Sequence, residues 1–577
     1  MKFSTLASYF EKLEATPKRI ELIDILSQLF KESDAQEIGK ICYLIQGRVA
    51  PFFEPTELGM AESLVAQAIA KAYDTSKDEV IKAYRRLGNM GLAAGELARE
   101  HHPKGAPTVT EVFNELHKIA KFVGKGTVEQ KVTTLSNILK SLDPISAKHV
   151  VNIPLGTLRL GIGDPTVMDA LSIARTGKKD LRPMIEDAYN KTSDLGYVAE
   201  TFYKQGEKGL RGVKLIVGKP VRPALAERMP NAEEAVKRLG ETFAAEPKFD
   251  GFRVAVHKNG DKVELFSRNL ENMTHAFPDL VEAVKVEVGA KSVILEGEAI
   301  AYNPTTNEFL PFQETTKRRR KYDVIEMAKK LPLALFTFDI LYLNGKDITQ
   351  KPHAERRKLL EKILPKNNAI VRIAEERVLH TPAEILKFFN ETISEGLEGL
   401  MLKKLDAPYK AGGRGFHWIK FKRSQSGELS DTVDVVLLGV YTGRGKRTEF
   451  GVGGLLAGVY NEREDRFETI SRIGTGLTDD EFRHVAEIAK KLRLAHKPAR
   501  VVSKTEPSFW VEPKVVMEIF ADEITKSPIH TAGEVDGVGY ALRFPRLVRF
   551  REEDKRAEDC TTVEEIRKLY SNQYNRK

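Results

Sequence analysis

The period of the apolar residues changes along this chain at the turn-rich stretch Gly218-Lys219-Pro220-Val221-Arg222-Pro223, and that change limits the fold more than any other feature. From Met1 to about Val217 apolar residues recur at helical spacing, as in Ile20, Leu22, Ile23, Ile25, Leu26 and Leu29. Thr108-Val109-Thr110-Glu111 reads as a capping box, Ser193-Asp194 supplies N-caps before Leu195, and Leu158–Pro165 breaks two helices. Past the turn, up to about Arg423, strand-like alternation mixes with helices. Its sharpest signal is the hairpin Phe252–His257, Asn259-Gly260, Val263–Ser267, where Asn-Gly favours a type I′ turn. Beyond the polar link Ser424-Gln425-Ser426-Gly427, short strands such as Val433–Tyr441, Gly454–Tyr460 and Phe467–Ile473 alternate with Gly-rich turns, which predicts a small β-barrel or sandwich. A closing helix follows Thr561-Thr562, with Glu564 and Glu565 at capping-box spacing. The expectation is a multidomain α and α+β protein. Residues 1–217 form an all-helical domain, 218–423 an α+β domain, and 424–577 a β-barrel domain with a C-terminal helix.

At 577 residues the chain is long enough to bury several cores without staples. Its two cysteines, Cys42 and Cys560, build neither a disulfide framework nor a four-cysteine zinc site. No apolar run approaches the ~18–20 residues needed to cross a bilayer, and Met1-Lys2-Phe3-Ser4 lacks a charged-then-apolar signal pattern. A reducing, cytoplasmic setting with no membrane partner is expected. The net charge of +9 permits a polyanionic partner without requiring one.

The chemistry is concentrated in Glu246-Pro247-Lys248-Phe249-Asp250-Gly251-Phe252-Arg253. In a strand Lys248 and Asp250 face the same side. A turn centred on Asn259-Gly260 pairs Lys258 with Asp261 and Gly251 with Arg268, so Arg253 and Arg268 are expected to converge on Lys248. A lysine amine is nucleophilic only when neutral, and nearby cations and desolvation lower its pKa; arginines also clamp phosphate bidentately. The cluster suits attack on phosphorus. Taken alone, such a motif is more simply a surface hairpin with ordinary salt bridges.

Further segments follow in order. Leu295-Glu296-Gly297-Glu298 ends an apolar strand with both carboxylates on one face, spaced for a hard divalent cation. Phe338 lies in the strand Phe336-Thr337-Phe338-Asp339-Ile340, available to stack on a base. Glu398 lies in Glu395-Gly396-Leu397-Glu398-Gly399-Leu400-Met401-Leu402-Lys403, Arg414 in Gly412–Gly415, and Lys420 and Lys422 share one face of Trp418–Lys422. The set resembles the nucleotidyltransferase superfamily, whose signature is Lys-x-Asp-Gly-x-Arg. The resemblance implies that Lys248 attacks the α-phosphorus of a nucleotide, releases pyrophosphate and holds the nucleotide as a lysyl phosphoramidate. It further implies nucleotide binding by Glu246, Arg253, Arg268, Glu298, Phe338, Arg414, Lys420 and Lys422, with Phe338 stacked on adenine. Glu298 and Glu398 would engage Mg²⁺ (or Mn²⁺) or the ribose hydroxyls.

Three features choose a branch. The segment Leu542-Arg543-Phe544-Pro545-Arg546-Leu547-Val548-Arg549-Phe550-Arg551 with Asp554-Lys555 resembles the last motif of ATP-dependent DNA ligases, which closes an OB-fold barrel over the nucleotide; Arg543 and Lys555 are the candidates facing pyrophosphate. Tyr43–Pro51 and Gly156–Gly163 resemble the helical DNA-binding domain of archaeal and eukaryotic replicative ligases, with Arg159, Gly161 and Gly163 as DNA contacts. Two cysteines are too few for the zinc module of NAD-dependent ligases, so the resemblance implies ATP. The implied cycle is adenylylation of Lys248, transfer of AMP to the 5′-phosphate of a nick in duplex DNA, and attack by the 3′-hydroxyl. RNA ligation or capping on the same core and an idle DNA-binding scaffold are the alternatives. A monomer is expected. The basic run Lys317–Lys321 reads as a phosphate contact or a solvated helix face. Gln46-Gly47-Arg48-Val49-Ala50-Pro51-Phe52-Phe53 resembles a sliding-clamp box but overlaps the family's own core segment, which leaves a clamp partner open.

Overall fold

The computed structural model describes the chain except residues 17, 230, 304–307, 311–314, 316, 319–323, 366–367, 396, 423–431, 443–450, 475–476 and 575–577, and the side chains of 414, 416, 479 and 574. The polar link Ser424–Gly427 lies outside the described residues. The chain divides into two compact units, Met1–Lys214 and Leu215–Lys577.

The first unit is helical. Its caps follow the sequence: Thr108 and Glu111 complete a capping box on helix Val109–Lys121, and Asp194 accepts from the Tyr197 N–H at 3.0 Å to start helix Leu195–Arg211. The break before helix Asp164–Thr176 holds Arg159, Gly161 (φ +69°) and Gly163, the N-cap. In the clamp-like segment Gln46 donates to Asp164 at 2.9 Å, and Val49 and Phe53 are buried, so these side chains serve internal packing.

In the second unit the strands are β1 (Leu225–Arg228), β2 (Phe243–Lys248), β3 (Phe252–Asn259), β4 (Lys262–Ser267), β5 (Ser292–Ala301), β6 (Leu333–Leu343), β7 (Lys346–Asp347), β8 (Val371–Ile373), β9 (Arg377–Leu379), β10 (Gly399–Lys404) and β11 (Arg414–Lys422). They form two sheets, one in the order β1-β11-β10-β2-β9, the other β4-β3-β5-β6-β7 with β8 beside β6. Strict alternation builds the first sheet. Phe243, Ala245, Leu400, Leu402, Ile419 and Phe421 point to one side, where they form a buried core with helices Ala232–Leu239 and Pro382–Ser394. Burial of each large side chain there contributes about 1.5–3 kcal/mol. The second sheet buries Val254, Val256, Leu265, Leu295 and Leu335 on one side, against helix Pro278–Glu287.

The hairpin register differs from expectation. Asn259 pairs with Lys262 and Val254 with Ser267, so Gly260 and Asp261 are the central residues. Gly260 has φ +59° and Asp261 is not left-handed, as a II′-like turn requires. Continuing the ladder sets Arg268 opposite Arg253 rather than Gly251. In the basic run, Lys317 is exposed, Arg318 is fully buried against Asp279 at 2.6 Å, and 319–321 lie outside the described residues. Arg318 therefore serves the core, not a phosphate.

From Val433 the chain forms a β half-barrel consistent with an OB fold. β12 (Val433–Tyr441), β13 (Gly454–Asn461) and β14 (Arg466–Ile473) pair antiparallel in sequence. The final helix, Val563–Tyr574, is capped by Thr562 with Glu565. Cys42 and Cys560 are buried and neither is in a disulfide. Among the described residues no helix is long and apolar enough to cross a membrane.

One polar pair is embedded in the second unit. Arg356 donates to both carboxylate oxygens of Asp339, at 2.8 and 3.0 Å, with both residues buried. Burial alone raises the Asp339 carboxyl, but Arg356 overrides it and holds the pKa down at about 2. Since an unfolded aspartate titrates near ~3.9, the pair's contribution is fully present above about pH 4 and is lost as pH falls through about 2. Arg356→Met, which strands a buried carboxylate, is expected to lower the unfolding free energy by about 3–5 kcal/mol in urea titrations at pH 7. Adding Asp339→Asn should recover part of that loss and flatten the acid dependence between pH 4 and 2.

Candidate functional site

Because β10 pairs antiparallel with both β2 and β11, the side of the first sheet opposite its apolar core carries three rows of residues. Gly399 lies between Lys248 and Lys422, Met401 between Glu246 and Lys420, and Lys403 between Ala244 and Trp418. Arg253, Glu298 and Phe338 come from the second sheet, and Arg268 from the residue after β4. Together they line one cavity with about 1030 Å³ of empty space. The half-barrel closes it with Asp434, Arg551, Lys555, Asp559 and Glu565.

The charges interlock. Lys248 Nζ forms an ion pair with Glu398, whose same oxygen meets Lys422 at 3.2 Å. Burial would raise the Glu398 carboxyl; Lys248 and Lys422 hold it well below the usual range instead. Arg253 donates to Glu296 at 2.7 Å and to the Ala224 carbonyl at 2.9 Å. Glu296 is thereby spent on Arg253 and does not line the cavity. Burial pushes the Glu298 carboxyl up to about 7 against the pull of Lys248 and Arg253. Burial, with Arg228 and Lys555, drives the Lys420 amine well down. Burial also lowers Lys555, to about 8, although it is ion-paired with Asp434. At the other end Phe338 meets Trp418 edge-on at 5.8 Å, and Lys403 Nζ lies 4.9 Å from the Phe338 ring and 4.5 Å from the Trp418 ring.

Glu298 has no hydrogen-bond or ion-pair partner among the described residues, and it shares the cavity with Lys248, whose partner is Glu398. Two glutamates, one of them with no partner among the described residues, are a hard-oxygen set that fits Mg²⁺ or Mn²⁺. The group Glu246, His353 and Glu376 also gathers ligand atoms within 4.8 Å. Its charge is already met by Lys403, 2.7 Å from Glu246, and Arg357, 3.9 Å from it.

The cavity thus unites Glu246, Lys248, Arg253, Arg268, Glu298, Phe338, Lys420, Lys422 and Lys555. The Arg414 side chain lies outside the described residues. Arg159, Gly161 and Gly163 belong to the first unit. Arg543 is not brought in: it ends strand Val538–Arg543, 57% exposed, with Glu523 at 4.0 Å. Phe544, at φ +51°, turns the chain from that sheet to strand Arg546–Phe550 in another, so the residues that reach Glu398 and the cavity are Arg549 and Arg551. Arg549 meets Asp250 at 3.4 Å and Glu398 at 3.5 Å. The signal that could have found them is the period-two spacing of Arg549 and Arg551, as the spacing from Met401 to Lys403 could have found Lys403.

Comparison with known proteins accords with this arrangement. The family description "DNA ligase N terminus" matches residues 2–172, "ATP dependent DNA ligase domain" residues 223–422, and "ATP dependent DNA ligase C terminal region" residues 448–554. The chain is 51% identical over 580 residues to a probable DNA ligase of Dictyoglomus turgidum, covering 100% of this chain and 99% of that one. It is 40% identical over 597 residues to a DNA ligase of Aeropyrum pernix and 39% identical over 594 residues to one of Sulfolobus acidocaldarius, again covering 100% of this chain and 99% of each relative. The chain belongs to the ATP-dependent DNA ligases. Its activity is that of a DNA ligase (ATP), EC 6.5.1.1, and its substrate is DNA.

In this ligase Gly251 governs how closely the Lys248 loop approaches β5. A Cβ at Gly251 would lie 2.2 Å from the Ala299 carbonyl oxygen, so any side chain forces the backbone to move. Gly251→Ala is expected to remain folded by circular dichroism while enzyme–adenylate formation falls by about 100-fold, the scale of an ångström-sized misplacement of a reacting group. An adenylylation rate within about twofold of wild type would refute this role for the glycine.

Proposed function

We propose that this ligase seals nicks in duplex DNA and that Lys248 is the nucleophile of its first step, adenylylation of the enzyme. The observation that carries this reading is the enclosure of Lys248 in one cavity with Glu298, Arg253, Arg268, Phe338, Lys420 and Lys422. Attack requires a neutral amine, so the Lys248 ammonium first gives up a proton to solvent and its ion pair with Glu398 parts. The nitrogen then bonds to the α-phosphorus of ATP as the bond to the leaving pyrophosphate breaks, in line. Phe338 stacks on adenine; Arg253, Arg268 and Arg414 hold ribose and phosphate; Lys420 and Lys422 offset charge on the α-phosphate. Arg551 and Lys555, rather than Arg543, face the leaving group. Glu298 and Glu398 would hold Mg²⁺ or Mn²⁺, which when bound neutralises phosphate oxygens.

AMP next passes from Lys248 to the 5′-phosphate of the nick, and the 3′-hydroxyl displaces it, forming the phosphodiester. Arg159, Gly161 and Gly163 contact the DNA backbone, since sealing nicks of any sequence calls for binding to phosphates and duplex shape. In this reading the protein acts as a cytoplasmic monomer divided at about residues 217 and 423. The internal packing of Gln46, Val49 and Phe53 favours no clamp contact through that segment.

Incubation with α-labelled ATP and Mg²⁺, followed by denaturation, should leave acid-labile label on the wild type and none on Lys248→Ala. Label persisting on that variant would remove Lys248 as the nucleophile. Wild-type enzyme that forms the adenylate yet leaves a nicked DNA duplex open would overturn the substrate reading.

A further inference from the structure

The cavity floor has a phosphate end and a base end, and the base end contains an ammonium group that the reaction as described leaves unused. Lys403 is 1% exposed. Its Nζ meets Glu246 at 2.7 Å and donates to the Phe338 carbonyl at 3.1 Å, beside the Phe338 and Trp418 rings. The strand register explains the contact: Met401 is directly opposite Glu246, and Lys403 is the next residue along the same face. One oxygen of Glu246, Oε1, is buried and has no hydrogen-bond partner.

We propose that Lys403 is a positioning residue for base selection: by holding Glu246 as a carboxylate, it makes the base end of the cavity a hydrogen-bond acceptor that selects a purine with an amino group at position 6. The inference rests on the adenylylation reading above. An ionised carboxylate only accepts, whereas a protonated one also donates. The 6-amino group of ATP donates to such a group; the 6-oxo group of ITP presents another acceptor to it. Burial and Glu376 favour protonation of Glu246, while Lys403 and His353 oppose it, and Arg357 lies 3.9 Å away. Of the groups opposing protonation, Lys403 acts most strongly. Burial already pushes the Glu246 carboxyl up, so removing Lys403 favours its protonated form further and weakens the preference for a 6-amino purine. Lys403 also ties this carboxylate to the main chain of Phe338, so polarity and stacking are set by one side chain.

The test measures enzyme–nucleotide formation with α-labelled ATP and ITP on full-length wild type, Lys403→Met, Lys403→Arg and Glu246→Gln, each checked for folding by thermal melting. Wild type should prefer ATP by at least about 100-fold, since a site built around a substrate hydrogen bond can discriminate by about 10⁴-fold or more. Lys403→Met should narrow the preference to within about tenfold, as should Glu246→Gln, whose amide both donates and accepts. Lys403→Arg should restore it, because the arginine keeps the charge. Equal loss with both nucleotides in Lys403→Met, at unchanged ATP preference, would overturn the proposal and leave a purely structural lysine. If Lys403→Met does not fold, Glu246→Gln alone decides, and an unchanged preference in it overturns the proposal. Wild type that takes up no label from ATP fails at the earlier step, the adenylylation reading itself.

Discussion

Three strands, β2, β10 and β11, keep their register over an apolar underside, and the arrangement of charge in the cavity depends on it. Phe243, Ala245, Leu400, Leu402, Ile419 and Phe421 hold that underside in the core. Their neighbours in sequence are therefore turned the other way. A slip of one residue in any pairing would bury Lys248, Lys420 or Lys403 in hydrocarbon and expose a leucine or phenylalanine. The hydrophobic core thus fixes which lysines share a cavity. The cavity-facing side can consequently collect several cations, because the apolar side supplies the free energy that holds them there.

The half-barrel contributes charge of both signs. Arg551 and Lys555 are cations, yet Asp434 pairs with Lys555, and Glu518 meets Arg549 and Arg551 at 2.7 and 3.1 Å. Arg549 also reaches Asp250 and Glu398 on the nucleotidyltransferase side. Without a nucleotide, the cationic groups answer to carboxylates of the protein. On the proposed nucleotide reading, a triphosphate in the cavity exchanges those carboxylates for its own oxygens, so binding is an exchange of anions as much as a gain of contacts. That exchange limits the desolvation each buried cation undergoes.

Much of this is legible from spacing alone. The Lys248 segment, the Glu298 and Phe338 strands, and the Lys420–Lys422 alternation all reach the cavity, since period-two patterns are robust wherever one face is buried. The hairpin register is not, because Asn259-Gly260 favours a type I′ turn locally, while the observed turn uses Gly260-Asp261. The convergence of Arg253 and Arg268 survives that difference, because both residues stay at the open end of the hairpin. The resemblance points to Arg543 ahead of Arg549 and Arg551, since no local signal reports that Phe544 adopts a left-handed conformation and sends the chain to a different sheet. Spacing from Met401 puts Lys403 on the cavity face, but its partner Glu246 lies across a strand pairing that local sequence does not encode. Arg318 reads as surface because a basic run carries no mark of the aspartate waiting for one of its members.

Gly399 shows how a missing side chain shapes the site. It lies between Lys248 and Lys422 in the row at the phosphate end. Its φ of +142° disfavours other residues, and a Cβ there would meet the Phe421 carbonyl oxygen at 2.2 Å. With no side chain in the middle of the row, Lys248 and Lys422 are separated by two strand spacings, about 9–10 Å across the sheet. The preceding residue, Glu398, fills the gap and meets both ammonium groups through one oxygen. A bulkier residue at 399 would part the strands and pull that carboxylate off the axis between the two lysines. Lys248, the proposed nucleophile, and Lys422 are thereby held by a single carboxylate, and a divalent cation competing for Glu398 would loosen both lysines together. Charge release at Lys248 and charge placement at Lys422 are coupled through the residue next to a glycine.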